Sequence, residues 1–385
     1  MSEKVVLAPC MGVGKVVANV TRRAAYLAHA ACPEDTEILS IPALLAGDAH
    51  ERQLINEHPV LVIEGCVLRC ASHVLKLVGA RPAAKIEVSR IIREKRLTPG
   101  RTRKELEASG KQLAQAVAER IALALVDEPW PDTLSSEVGW TGCPFACSCD
   151  SAAEKQSREV GMEPTMASRN QEVSADNAEV EDHRLAAAEP PLAQGLTLLP
   201  CQGIKRSGAR IAQRTAYHLC EDEDKLLGKA QPLCVSALAA GVPEDVHYYR
   251  DFPTVALNGC PQNCATKIAE LFGIPAVRSV NLYQAFPEYP CETRSLEPEL
   301  TPQESELARR WAEQLLPELR ELLVNTRWQP RSHCTHGMVN DPSGIERFFG
   351  YQPTSHGYDL PCLSAETRAF APHPVEANSA TPAQR

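Results

Sequence analysis

Apolar residues arrive along this chain in two alternating forms. Short unbroken runs stand at residues 5–8, 60–63 and, after Thr254, 255–257. Between them lie longer stretches in which apolar residues recur at helical spacing, such as Val16, Val20, Ala24 and Leu27 within residues 15–30. The pattern predicts a strand ending at Cys10, a glycine-containing turn, and a helix over 15–30. A return of apolar residues follows over 38–46, then a second buried strand over 60–63. Residues 70–78 form a short helix stopped by Gly79, and residues 84–92 read as a further strand. A long helical pattern fills 104–126, and a counterpart fills 302–324. Runs buried on both faces and alternating with helices predict α/β units with a mainly parallel sheet. Ligands of such sheets sit beyond the carboxyl ends of the strands.

The pattern occurs twice. Pro9, Cys10 and Gly12 correspond to Pro200, Cys201 and Gly203, and Arg23, Ala25 and Tyr26 to Arg214, Ala216 and Tyr217. After a small insertion, Leu39, Ser40, Ala43 and Leu44 fall on Leu233, Cys234, Ala237 and Leu238. The register then holds through Gly65-Cys66 and Gly259-Cys260, and through Cys70-Ala71 and Cys264-Ala265, to Gly79 and Gly273. Gapless matches at Gly, Pro and Cys over this span indicate an internal duplication. The fold class is therefore α/β: two tandem repeats, each a small sheet flanked by helices with cysteines at the strand ends. The repeats span residues 1–128 and 194–326. Residues 129–193 hold a cysteine-containing segment and a polar, acidic, flexible linker. Residues 327–385, rich in Pro, His and Ser, form an irregular tail.

Composition narrows the function classes. The 385 residues carry a formal net charge of −9, which argues against general nucleic-acid binding. No stretch approaches the roughly 20 apolar residues of a membrane helix, so no membrane insertion is expected. The first residues lack the shape of an export signal. Fifteen cysteines, clustered at four-residue spacing without an export signal, favour metal or redox chemistry in the cytoplasm over structural disulfides.

The repeated corner places two cysteines four apart where a strand turns into a helix. Glycine before the first cysteine allows a sharp turn. Backbone N–H groups and the positive end of the helix dipole would lower the thiol pKa. With the strand-end cysteine added, the second repeat offers Cys201, Cys234, Cys260 and Cys264, a full tetrahedral complement for zinc. The first offers Cys10, Cys66 and Cys70, with Ser40 in the place of Cys234. Three readings of that three-cysteine site stay open: Cys32 reaches in, a water or substrate takes the fourth position, or the metal has been lost. Four thiolates also hold iron–sulfur clusters, and the spacing does not separate the two.

These residues resemble the DGC domain family, a group of small proteins assigned zinc binding from their cysteines. The family pattern is a strand ending in Asp-Gly-Cys, then Pro-x-x-Cys-Ala and a helix closing at glycine. Residues 257–265 match it closely and residues 63–71 more loosely, over two copies. The resemblance implies a fold and a zinc ligand set rather than a reaction. It matches Cys10 and Cys201 to the early cysteine, and Cys234 alone to the middle one. The motif's Asp is Glu64 in one copy and Asn258 in the other.

Other signals are weaker. Residues 11–15 echo a phosphate loop but lack its first glycine and its Ser or Thr after the lysine. Cys143, Cys147 and Cys149 could form a further metal or redox cluster. His333, Cys334, His336, His356 and Cys362 have ligand chemistry at irregular spacing. The sequence thus favours a zinc-binding protein. A thiol-based redox or sulfur-transfer enzyme with a hyperreactive Cys66 or Cys260 and an iron–sulfur protein stand as alternatives. No catalytic constellation identifies a reaction, and no partner is readable.

Overall fold

In a computed structural model, which describes residues 4–126, 192–273 and 275–328, each half of the chain forms its own four-stranded sheet. The first contains β1 (Val5–Pro9), β2 (Thr36–Ile38), β3 (Val60–Glu64) and β4 (Ala84–Glu87), in the order β2-β1-β3-β4. The second contains β5 (Leu196–Pro200), β6 (Ala230–Pro232), β7 (Thr254–Asn258) and β8 (Arg278–Asn281), in the order β6-β5-β7-β8. Every pairing is parallel. The central strands β1, β3, β5 and β7 are buried along their whole length. That is why they appear as unbroken apolar runs rather than alternating ones.

The helices expected over 15–30, 70–78, 104–126 and 302–324 form, shorter helices not read from the periodicity join them, and one expected strand turns helical. In the first half, α1 (Val16–Ala31) and α6 (Ala108–Val126) pack together. Between them come α2 (Ile41–Leu45), α3 (Ala49–Glu57), α4 (Cys70–Leu77) and α5 (Val88–Lys95). The second half repeats the series as α7 (Ser207–Glu221), α8 (Val235–Ala239), α9 (Pro243–Asp251), α10 (Cys264–Leu271), α11 (Leu282–Ala285) and α12 (Pro302–Asn325). The strand expected over residues 84–92 stops at Glu87, and the chain turns helical at Val88. Val88 and Ile91, three apart, are buried on one helical face, which overrides the β-branched composition.

The two halves lie in one compact unit and meet reciprocally. Helix α4 packs on α8 of the second half, and α10 packs on α2 of the first. Each half therefore offers the same short helix to its neighbour, in the manner of an isologous dimer interface. Around this junction Tyr26 Oη donates to the carbonyl of Ile204, and Gln262 Nε2 donates to Asp48 Oδ2 at 2.9 Å. Arg103 pairs with Glu221 at 2.6 Å, and Lys205 pairs with Glu51 at 2.9 Å. Among the described residues no helix is long and apolar enough to cross a membrane. The expected linker and most of the tail, with Cys143, Cys147, Cys149 and the tail His and Cys residues, lie outside the described residues.

Candidate metal centre at the junction of the repeats

The strand-end cysteines are placed by ladder hydrogen bonds. Cys10 N donates to the carbonyl of Ile63 at 2.9 Å, and Cys201 N donates to that of Leu257 at 2.7 Å. Each cysteine is thereby drawn beside the end of the strand that carries the Gly-Cys motif. Cys70 and Cys264 are the first residues of α4 and α10. The sharp turn is not made by glycine: among the described residues, positive φ outside glycine occurs at Arg69 (50°), Arg96 (55°) and Asn263 (53°). Arg69 and Asn263 immediately precede the second cysteine of each pair.

The motif glycines serve close approach instead. A Cβ on Gly259 would stand 2.2 Å from the carbonyl oxygen of Gly208 at the start of α7. On Gly65 it would stand 2.9 Å from Val17 Cγ2. The residue before each glycine caps the following helix. Glu64, fully buried, accepts from Ser72 N at 2.8 Å and Ala71 N at 3.4 Å. Asn258 accepts from Thr266 N at 3.3 Å and donates to Thr266 Oγ1 and Ser279 Oγ at 2.7 and 2.9 Å. Capping needs an acceptor rather than a charge, so Glu and Asn both serve where the family motif has Asp.

Cys234 is placed differently from the sequence expectation. It is not set against Cys201; its sulfur faces the first repeat. A Cβ on Gly12 would lie 3.2 Å from Cys234 Sγ and 3.7 Å from Cys10 Sγ. Cys234 also accepts a hydrogen bond from Val13 N and lies in one buried cluster with Val13 and Cys70. Cys70 in turn feels the thiols of Cys10, Cys234 and Cys66. The exchange is reciprocal. Ser40 of the first repeat faces the second, with its Oγ 3.7 Å from the position of a Cβ on Gly203, the same distance as Cys201 Sγ. Gln202 accounts for part of this. Its side chain binds the carbonyl of Leu233 at 2.7 Å and the N–H of Val235 at 3.2 Å, tying the strand end of its own repeat to the backbone on either side of Cys234. The set expected as Cys201, Cys234, Cys260 and Cys264 is thus divided. Cys234 joins Cys10, Cys66 and Cys70, and Ser40 joins Cys201, Cys260 and Cys264.

Cys32 does not reach either group. It caps the far end of α1, a helix of 16 residues that begins beside Cys10 and extends about 24 Å at 1.5 Å per residue.

Burial prevails over the helix dipole in setting thiol acidity. It pushes Cys10 up to about 11 despite the N–H of Gly12. It also raises Cys70 and Cys234, the latter helped by the Asp245 carboxylate. Cys260 rises to about 11 through burial and the neighbouring Cys201. Cys201 alone among these moves down, to about 7, because the Cys264 thiol donates to it and the N–H groups of Gly203 and Gly259 point at its sulfur. Asp245 and Glu51 are equivalent supports that no cysteine motif marks. They accept from Cys234 N at 2.9 Å and from Ser40 N at 2.8 Å. Their equal offset of 194 residues was the available signal.

The two groups differ in access. Ser40, Cys201, Cys260 and Cys264 border a cavity of about 270 Å³ that Lys205 and Arg206 also line. The ten cysteines among the described residues carry free thiols. In donor type and number the Cys10 group suits zinc. No three of its sulfurs lie within 4.8 Å of one another, wider than the roughly 3.8 Å spacing of four sulfurs each about 2.3 Å from zinc. Among the described residues, the group of three metal-capable side chains whose ligand atoms lie within 4.8 Å of one another is Asp48, His50 and Glu51. Two of the three are already engaged: Asp48 caps α3 and accepts from Gln262, and Glu51 holds Ser40 N and Lys205.

Two parallel α/β repeats with buried cysteines gathered at their carboxyl edges define a tandem cysteine-rich α/β protein. The chain belongs to the DGC domain family, whose pattern matches residues 6–123 and 197–297. No curated protein and no solved structure matches it.

Proposed function

We propose that the protein binds zinc through Cys10, Cys66, Cys70 and Cys234, so that one ion ties the two repeats together. The observation that carries this reading is Cys234 Sγ facing Cys10 Sγ across Gly12. Three sulfurs come from one repeat and the fourth from the other, and the Val13 and Gly12 N–H groups aimed at Cys234 and Cys10 offset thiolate charge. A closed four-thiolate site is a structural one, and its binding energy is folding energy. Cys201, Cys260 and Cys264 form a second, three-thiolate site, with the weak donor Ser40 at its fourth corner and the 270 Å³ cavity beside it. A fourth position left to water or a small molecule is the arrangement of reactive zinc sites.

The test is metal and acid-labile sulfide per chain after anaerobic purification, in wild type, Cys234→Ser and Cys260→Ser. Wild type is expected to hold zinc without sulfide. Cys234→Ser is expected to lose the tightly held ion, which Cys260→Ser retains. The reverse pattern would sink the crossed assignment, and iron with sulfide would replace zinc by a cluster.

A further inference from the structure

We infer that a second cavity at the junction, walled by α1 and α7, binds a small phosphate dianion, either free or as the terminal group of a small molecule. The cavity measures about 150 Å³, the liquid volume of about five waters at roughly 30 Å³ each. Seven Lys and Arg side chains line it against two carboxylates, Glu105 and Glu299. This surplus stands in a chain whose net charge is −9.

Pairing does not exhaust the surplus. Arg103 and Lys104 are neutralised from outside by Glu221 and Asp222. Arg23 and Lys111 share Glu299, and Arg214 reaches Glu105, which is largely exposed. Arg22 and Arg210 have no carboxylate partner among the described residues, yet they are only 8% and 9% exposed. Arg22 spends its guanidinium on the carbonyls of Met11 and Gly12 at 3.2 and 3.0 Å and on Asn19 Oδ1. Arg210 holds the carbonyl of Glu297, the carbonyl of Glu299 at 3.1 Å and Ser295 Oγ at 2.6 Å. The Nε atoms of Arg210 and Arg23 are buried without a hydrogen-bond partner. Buried cations left with neutral partners and idle donors are costly unless an anion joins them. Guanidinium forks match the geometry of phosphate oxygens. The Tyr26 and Tyr217 side chains complete the wall at equivalent positions of the two repeats. An anion here would bridge the repeats behind the cysteine cluster, because Arg22 holds the loop that follows Cys10 and Tyr217 packs with Cys70 and Cys234.

The test is calorimetric titration of the full chain in phosphate-free and sulfate-free buffer, with inorganic phosphate, glycerol phosphate and malonate. Saturable binding of one phosphate per chain is expected, weakened at least tenfold in Arg210→Gln and about threefold in Lys111→Gln. Arg278→Gln, outside the cavity, is expected to match wild type. If circular dichroism shows that Arg210→Gln does not fold, Lys111→Gln and Arg23→Gln carry the comparison. Glycerol phosphate binding as tightly as phosphate assigns the site to a terminal phosphate group; weaker binding assigns it to the free ion. Absence of saturable phosphate binding, affinity unchanged in these variants, or malonate binding as tightly as phosphate would each overturn the proposal.

Discussion

At the scale of single residues, the Gly-Cys corner divides its work in a way that spacing does not reveal. The glycine admits a neighbouring backbone, and the left-handed residue three positions beyond the first cysteine turns the chain. Asn263 takes that conformation readily, whereas Arg69 does so at some cost. The two glycines are not equally constrained. A methyl at Gly259 meets the rigid Gly208 carbonyl, while one at Gly65 meets the end of a valine side chain. Gly259→Ala is therefore expected to lower unfolding free energy by about 3 kcal/mol, and Gly65→Ala by about 1 kcal/mol. Urea denaturation of both variants checks this, and equal losses would contradict it. The cysteines carry a parallel lesson. Helix starts predict acidic thiols, but burial raises those of Cys70 and Cys234, and the hydrogen bond to Cys201, with burial added, raises that of Cys264.

At the scale of elements, the residue at the end of β3 or β7 fastens the helix that carries the second cysteine. Asn258 does this with one acceptor and two donor bonds to hydroxyls. Asn258→Leu leaves Thr266 N without its cap and is expected to cost about 2 kcal/mol. Asn258→Asp keeps the acceptor, adds charge at a helix N-terminus, and lets the two hydroxyls rotate to donate. It is expected to stay within about 1 kcal/mol of wild type. Thermal and urea unfolding of the pair decide the matter; a large loss in Asn258→Asp would show that the amide itself is required. Most of this scale was legible beforehand. The buried strands, α1, α4 and α12 follow from apolar runs and periodicity. The Val88 helix was not, because Ile86, Val88, Ile91 and Ile92 are β-branched and the burial of Val88 and Ile91 on one helical face is set by packing.

At the scale of the molecule, the repeats are joined by ion pairs as well as by crossed helices. Burial alone would raise the Asp222 carboxyl, but hydrogen bonds from Lys104, Lys225 and His218 hold it well below the ordinary carboxylate range. Its folded pKa lies below the unfolded value of 3.8. The stability it contributes is thus complete above the unfolded pKa and is lost as pH falls through the folded one. Asp222→Asn is expected to be about 1 kcal/mol less stable than wild type at pH 7, with the gap closing towards pH 2. Unfolding curves across that range check it, and a gap independent of pH would exclude an ionic origin. Asp245 opposes this trend. Burial raises it to about 6, so its contribution favours the fold at low pH and is lost as pH rises from about 4 to 6.

The sequence by itself determined the duplication, the α/β class, the family and the seven cysteines at the strand ends, because these rest on local periodicity and on residue matches within each repeat. It could not assign the cysteines to their groups. Within either repeat, Ser40 and Cys234 look like the fourth member of their own set. Only packing of α4 on α8 and of α10 on α2 carries each across to the other set. The same packing brings Arg22 and Arg210 from separate repeats to one cavity. Both outcomes depend on contacts between residues more than one hundred and fifty positions apart, which leave no trace in local spacing.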